Sequence, residues 1–166
     1  MKPKWTSLAL AIAAMFIAAA GVQHGDASMI TAQAQTSPAP KAAEFTDGDA
    51  SDLLNQITSG FTGRNQKKVL AAFDLAAMTD GERFRQQIIS FFSHTESVRI
   101  HFNLVKTSSE EGKGAADVQV EMEAAPRDDN APTVHKQERL RFTAAGTSQG
   151  WKFTDVEPRA FFSLQP

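Results

Sequence analysis

The chain has 166 residues, a length that sets one domain as the prior. It is 42% hydrophobic and 22% charged, ordinary for a globular protein, and its formal net charge of -2 lacks the clustered Lys and Arg of a nucleic-acid face. It has no Cys, which excludes disulfides, thiolate metal sites, thiol nucleophiles and cysteine lipidation, and no Tyr, which excludes any mechanism needing a phenol donor.

The amino terminus, MKPKWTSLALAIAAMFIAAAGV, opens with Lys2 and Lys4 and then runs apolar from Leu8 to Val22. A basic start before a short apolar core is the pattern of an export signal. The run is shorter than the roughly 20 residues that span a bilayer, so no stable membrane span is expected after cleavage. Small-residue cleavage sites stand at Ala18-Ala19-Ala20 and at Ala32-Gln33-Ala34. Residues 1–34 are therefore assigned as a signal peptide with two candidate cleavage positions. The expected destination is the periplasm or the medium of a bacterium. Residues 35–50, QTSPAPKAAEFTDGDA, have the composition of a flexible linker, with Phe45 as their one large apolar residue.

The folded domain is expected over 51–163. Leu53, Leu54, Ile57 and Phe61 recur at helical spacing and predict a first helix, with Gly60 and Gly63 near its end. Asn65 can cap a short second helix carrying Val69, Leu70 and Phe73. Thr79 followed by Glu82 predicts a capping box at the head of a third helix, whose apolar stripe is Phe84, Ile88, Phe91 and Phe92. His94 falls in the last turn, where a partly cationic ring suits the helix dipole.

The period then changes to two. Val98, Ile100, Phe102 and Leu104 share one face of a strand, and Arg99, His101 and Asn103 the other. Ala116, Val118, Val120 and Met122 oppose Asp117, Gln119, Glu121 and Glu123. Leu140 and Phe142 oppose Gln137, Arg139 and Arg141. Such alternation predicts an antiparallel sheet with one buried and one wet face. In the fourth strand, GWKFTDVE, Trp151 and Phe153 are in register and Val156 is not; a bulge between Phe153 and Val156 brings all three inward. Helices first and strands after give an α+β fold.

This order of elements, with LAAFD (70–74) and GWKFTDVEP (150–158), resembles the nuclear transport factor two-like, or SnoaL-like, superfamily. The resemblance covers about 51–162. It implies a cone-like fold of three amino-terminal helices packed on a curved four-stranded antiparallel sheet. It leaves function open, because the superfamily includes isomerases, dehydratases, cyclases, hydrolases and non-enzymatic binding domains. The Tyr-dependent oxyanion hole of its ketosteroid isomerase branch cannot be carried over to a chain without Tyr.

Three carboxylates are candidates for catalysis. Asp155 shares the register of Trp151 and Phe153, so it points inward unless the bulge turns it out; inside, desolvation would raise its pKa and suit it to proton transfer. Glu138 shares the parity of Leu140 and Phe142, as does Lys136, a pairing that also describes a strand end that has left the core. Asp74 can reach a pocket mouth or bond to nearby backbone. Phe84, Ile88, Phe92, Phe102, Phe142 and Phe153 either line an apolar pocket or fill the space. His101 and His135, beside Asp117, Glu121 and Glu123, lack the tight spacing of a zinc site, and an exposed polar face accounts for them. No phosphate loop, nucleophile elbow or H-E-x-x-H is present.

The expectation is an exported domain, non-enzymatic, that binds an apolar small molecule or an envelope protein, as a monomer or weak homodimer. No cofactor, metal or nucleic acid is expected. The alternative is a SnoaL-like isomerase, dehydratase or hydrolase that uses a pocket carboxylate.

Overall fold

The structure, a computed structural model, describes residues 44–164. The expected signal peptide and positions 35–43 of the expected linker lie outside the described residues. Three helices come first: α1 (Asp47–Thr62), α2 (Gln66–Leu70) and α3 (Gly81–His94). Four strands follow: β1 (Thr95–Glu110), β2 (Lys113–Pro126), β3 (Val134–Thr147) and β4 (Gly150–Glu157). They pair antiparallel in the order β1-β2-β3-β4, and a 3-10 turn (Arg159–Phe162) closes the chain. This is the α+β architecture read from the sequence.

The boundary at residue 51 needs correction, because α1 begins at Asp47. The reason is a reciprocal cap. Thr46 Oγ1 accepts from the Asp49 amide at 3.2 Å, and Asp49 Oδ2 accepts from the Thr46 amide at 2.9 Å. Two orphan donors are thereby satisfied, and Asp47 and Asp49 put negative charge at the positive end of the helix. Phe45 belongs to the core rather than to a linker: it is buried, and its ring meets Trp151 edge-on at 5.0 Å. Gly114 makes room for it, since a Cβ there would stand 2.3 Å from Phe45 Cγ.

The capping box at Thr79 and Glu82 does not form. The N-cap of α3 is Asp80, in the left-handed region with φ 55°, and its side chain makes no cap bond. The Gly81 backbone lies so close to Leu75 that a Cβ would be 2.0 Å from the Leu75 carbonyl oxygen. That tight approach takes the chain into α3 by a left-handed residue, whereas a capping box needs an extended one. Glu82 instead accepts from Gln86 Nε2 at 2.8 Å and pairs with Arg85. Asn65 does cap α2, accepting from the Lys68 amide at 3.0 Å.

α3 passes into β1 without a loop. Thr95, at the joint, is buried, and its hydroxyl donates to the Phe91 carbonyl at 2.8 Å. The Thr95 carbonyl accepts from Arg64 Nη1 at 2.8 Å and from Arg127 Nε at 3.2 Å. Arg64 Nη2 also reaches the Phe92 carbonyl at 3.0 Å. Two arginines thus satisfy the carbonyls that a helix leaves unpaired at its carboxyl end.

The strand alternation holds. Val98, Ile100, Ala116, Val118, Val120, Met122, Leu140 and Phe142 are all buried. The bulge in β4 is present: Asp155 lies opposite Thr143 and Phe153 opposite Ala144, which leaves Thr154 as the extra residue. Phe153 and Val156 are both buried as a result. A second irregularity leaves Val105 unpaired between Leu104 and Lys106, and that residue is exposed. The outer edge of β4 is covered by the segment after α2, where the Phe153 amide donates to Ala72 and the Asp74 amide to Phe153.

Candidate functional site

The six side chains expected either to line an apolar pocket or to fill the space belong to the core or pack against it. Phe84, Ile88, Phe92, Phe142 and Phe153 are buried, and only Phe102 is partly exposed. Phe142 meets Phe153 at 4.6 Å, Phe73 at 6.4 Å and Phe102 edge-on at 6.1 Å. Phe61 stacks on Phe92 at 5.2 Å and on Phe162 at 5.7 Å. Centroid spacings of this size are those of rings in contact, which leaves little room between them.

The three candidate carboxylates do not converge. The β4 bulge turns Asp155 away from the core. There it accepts from Arg159 Nε at 2.9 Å, from Arg159 Nη2 at 2.7 Å and from the Val156 amide at 2.7 Å. This carboxylate is half-buried, and all three donors converge on one oxygen, Oδ1. Asp74 bonds to local backbone, accepting from the Ala76 and Ala77 amides at 3.2 Å each. Glu138 keeps the inward parity, opposite buried Val120, yet is exposed, because on β3 burial of that face begins only at Leu140.

Lys136, two residues earlier and opposite Met122, is half-buried. Its ammonium donates to the carbonyl oxygens of Phe161 and Ser163, tying β3 to the carboxyl-terminal segment. Burial lowers its pKa below the usual 10.5, and the nearby Glu138 carboxylate opposes that shift. Sequence parity marked this residue but gave no sign of its partners, which lie 25 and 27 residues away.

The outer sheet face carries a depression of about 480 Å³ whose lining includes Arg99, His101, Glu121, Glu123, His135 and Gln137. Register explains its composition. Arg99, Glu123 and His135 form one row across β1, β2 and β3, and His101, Glu121 and Gln137 form the next. Further along, Asp117 sits between Arg139 and Arg141, at 3.7 and 3.5 Å. An acidic stripe on β2 therefore runs between basic side chains on both neighbours, the arrangement in which cross-strand pairs are favourable. Gln137 Nε2 donates to Glu121 at 3.1 Å, and Arg99 pairs with Glu123 at 3.5 Å. Among the described residues no group of His and carboxylates is arranged to hold a metal ion. His94 does not join this face; it ends α3, with Nδ1 bonded to the Ser90 carbonyl at 2.8 Å.

No protein-family model matches the chain, and no curated protein matches it in sequence. Solved structures do match it in fold. One is a nuclear transport factor 2-like superfamily protein from Salmonella enterica serovar Typhimurium, with TM-score 0.57 and 12% identity over 66% of this chain and 86% of that one. Another, from Novosphingobium aromaticivorans and provisionally named a scytalone dehydratase, gives 0.59 and 10% over 66% and 79%. A third, from Nostoc punctiforme and described as having a cystatin-like fold, gives 0.52 and 12% over 70% and 96%. At these identities the likeness is one of fold.

Proposed function

Starting from the nuclear transport factor 2-like fold that the chain adopts, we propose a non-catalytic interaction domain that docks a polar protein partner on its outer sheet face. The observation that carries this reading is the contrast between a ring-filled interior and an outer depression of about 480 Å³ lined by side chains of both charges. Hydrogen-bonding rows of alternating sign give a partner register and orientation, which is how charged surfaces contribute specificity. The carboxylates of the alternative, catalytic reading are each engaged elsewhere or solvated. The amino-terminal composition supports a partner in the bacterial envelope.

The test is site-specific photo-crosslinking in cells that make the protein. A crosslinker replacing His101 on the outer face is expected to trap a discrete adduct, and one replacing exposed Arg85 on α3 is not. The paired reversals Glu121→Lys and Glu123→Lys are expected to abolish the adduct. Equal adducts from both positions, or adducts unaffected by the reversals, would sink the proposal.

A further inference from the structure

Strands β3 and β4 are unequal: β3 has 14 residues and β4 has 8. β4 pairs with β3 from Arg141 to Thr147, while β2 pairs with it from Val134 to Ala145. Residues 134–140 therefore have a strand on one side and, among the described residues, none on the other. The chain leaves the sheet at Pro158, which has no N–H to continue the ladder, and turns inward to bury Phe161 and Phe162. At the step between the two strands lies a depression of about 560 Å³ whose lining includes Arg139, Leu140, Glu157 and Pro158.

Alternation decides which main-chain groups face this step, because successive residues of a strand aim N–H and C=O at opposite neighbours. The Gly146 amide donates to Gly112, on the β2 side, and the Thr143 carbonyl accepts from Thr154 Oγ1, on the β4 side. Even-numbered residues of β3 thus bond towards β2 and odd-numbered ones towards β4. β2 pairs with β3 residue for residue, so the alternation continues unbroken to Val134. His135, Gln137 and Arg139 therefore point their N–H and C=O at the open side. All three residues are exposed, and no other segment of the described residues bonds to their backbone there. Such a row of main-chain groups is a template for a further strand.

We propose that this edge takes an extended segment of a partner protein as a short strand, continuing the line of β4 antiparallel to β3, opposite His135 to Arg139. Charge sets the chemistry of that segment. Arg141 has Glu157 opposite it on β4, and the next outward place on the same line is opposite Arg139. Arg139 shares Asp117 with Arg141, at 3.7 and 3.5 Å. One carboxylate between two guanidiniums leaves donor capacity on Arg139, so the entering strand carries an acidic residue there. On the opposite side of the strand, Lys136 and Glu138 carry charge at inward parity, a device that discourages apolar strands from adding to an edge. The segment is therefore polar on both sides. The pairing is made by main-chain groups and stands or falls without the docking site on the outer face.

The probe is the peptide acetyl-Glu-Thr-Gln-Thr-Thr-amide, added to the full chain while amide exchange is read by NMR. Without peptide, the His135, Gln137 and Arg139 amides are expected to exchange faster than those of Lys136 and Glu138, which β2 holds. With peptide at about ten times its Kd, the same three amides should slow about tenfold. The peptide N-methylated at its central Gln lacks the donor aimed at β3 and is expected to slow none of them. Replacing its Glu by Lys should weaken binding, and Arg139→Glu should reverse that preference, by about fivefold. The proposal fails if the fast and slow amides do not alternate, if the peptide at its solubility limit slows none of the three, or if the N-methylated peptide acts as well. Slowing produced by raising the protein concentration alone would put a second copy on the edge and overturn it too. A charge preference that Arg139→Glu leaves unchanged would overturn the acidic partner.

Discussion

The two faces of one sheet share strands, register and backbone bonds, and differ in almost everything else. The inward face meets three helices and the carboxyl-terminal turn, and its side chains are held by rings packed 4.6 to 6.4 Å apart. The outward face is built from cross-strand pairs of 3.1 to 3.7 Å between exposed or half-exposed groups. The difference teaches where stability resides and where recognition is free to act. Packing contributes through excluded water and lost cavities, and so resists change. Solvent-screened pairs contribute little to stability, so their identities are available for a partner.

The sharpest way to break the contrast is at its centre. Phe142→Ala removes a fully buried ring that touches Phe73, Phe102 and Phe153. It is expected to cost about 3–5 kcal/mol in denaturant unfolding, and a loss below about 1 kcal/mol would mean the interior is not filled as described. Gly114→Ala pushes a methyl into Phe45 and is expected to cost about 1–3 kcal/mol, with loss of near-ultraviolet signal from the Phe45–Trp151 contact. No change in either readout would return Phe45 to the linker.

Arg64→Ala leaves the carbonyls of Phe92 and Thr95 short of a donor at the joint between helix and sheet. About 1.5 kcal/mol is expected, the low end for a charged donor, because the guanidinium is partly solvated. Equal stability of Arg64→Ala and the parent chain would show that Arg127 suffices at the joint.

Lys136 stands on the border between the two faces, and pH reads it. Because burial lowers its pKa, the unfolded chain holds this proton at pH values where the folded chain has released it. Stability should therefore rise as pH climbs from the lowered pKa towards 10.5 and gain nothing more above it. The difference between the natural chain and Lys136→Met over that range isolates the effect; parallel curves would contradict it. The smallest effect is expected outside. Glu121→Gln should move stability by no more than about 0.5 kcal/mol, as surface changes do, and a larger loss would make the outer face part of the scaffold.

How much of this was legible in the chain follows from distance. The helical stripes, the two-residue alternation, the Asn65 cap and the β4 bulge depend on neighbours within about four residues, and each was readable from spacing alone. The bulge even fixed the fate of Asp155, since Val156 could enter the core only if its neighbour turned away. The candidate site was less legible. Parity placed Glu138 inward and could not say that burial along β3 begins only at Leu140. The capping boxes show the same limit: Thr79 and Glu82 have the right spacing, yet the approach of Gly81 to the Leu75 carbonyl decides against them.

The sequence by itself determined the class of fold and the sidedness of its sheet, because polar and apolar periods are local and survive any tertiary arrangement. Only the tertiary structure decided that Phe45 packs on a glycine 69 positions away, that Arg64 serves carbonyls 28 and 31 residues on, and that Phe162 fills the space against Phe61. Those choices rest on close approach between distant segments, and the free energy of a contact between them leaves no periodic mark on either.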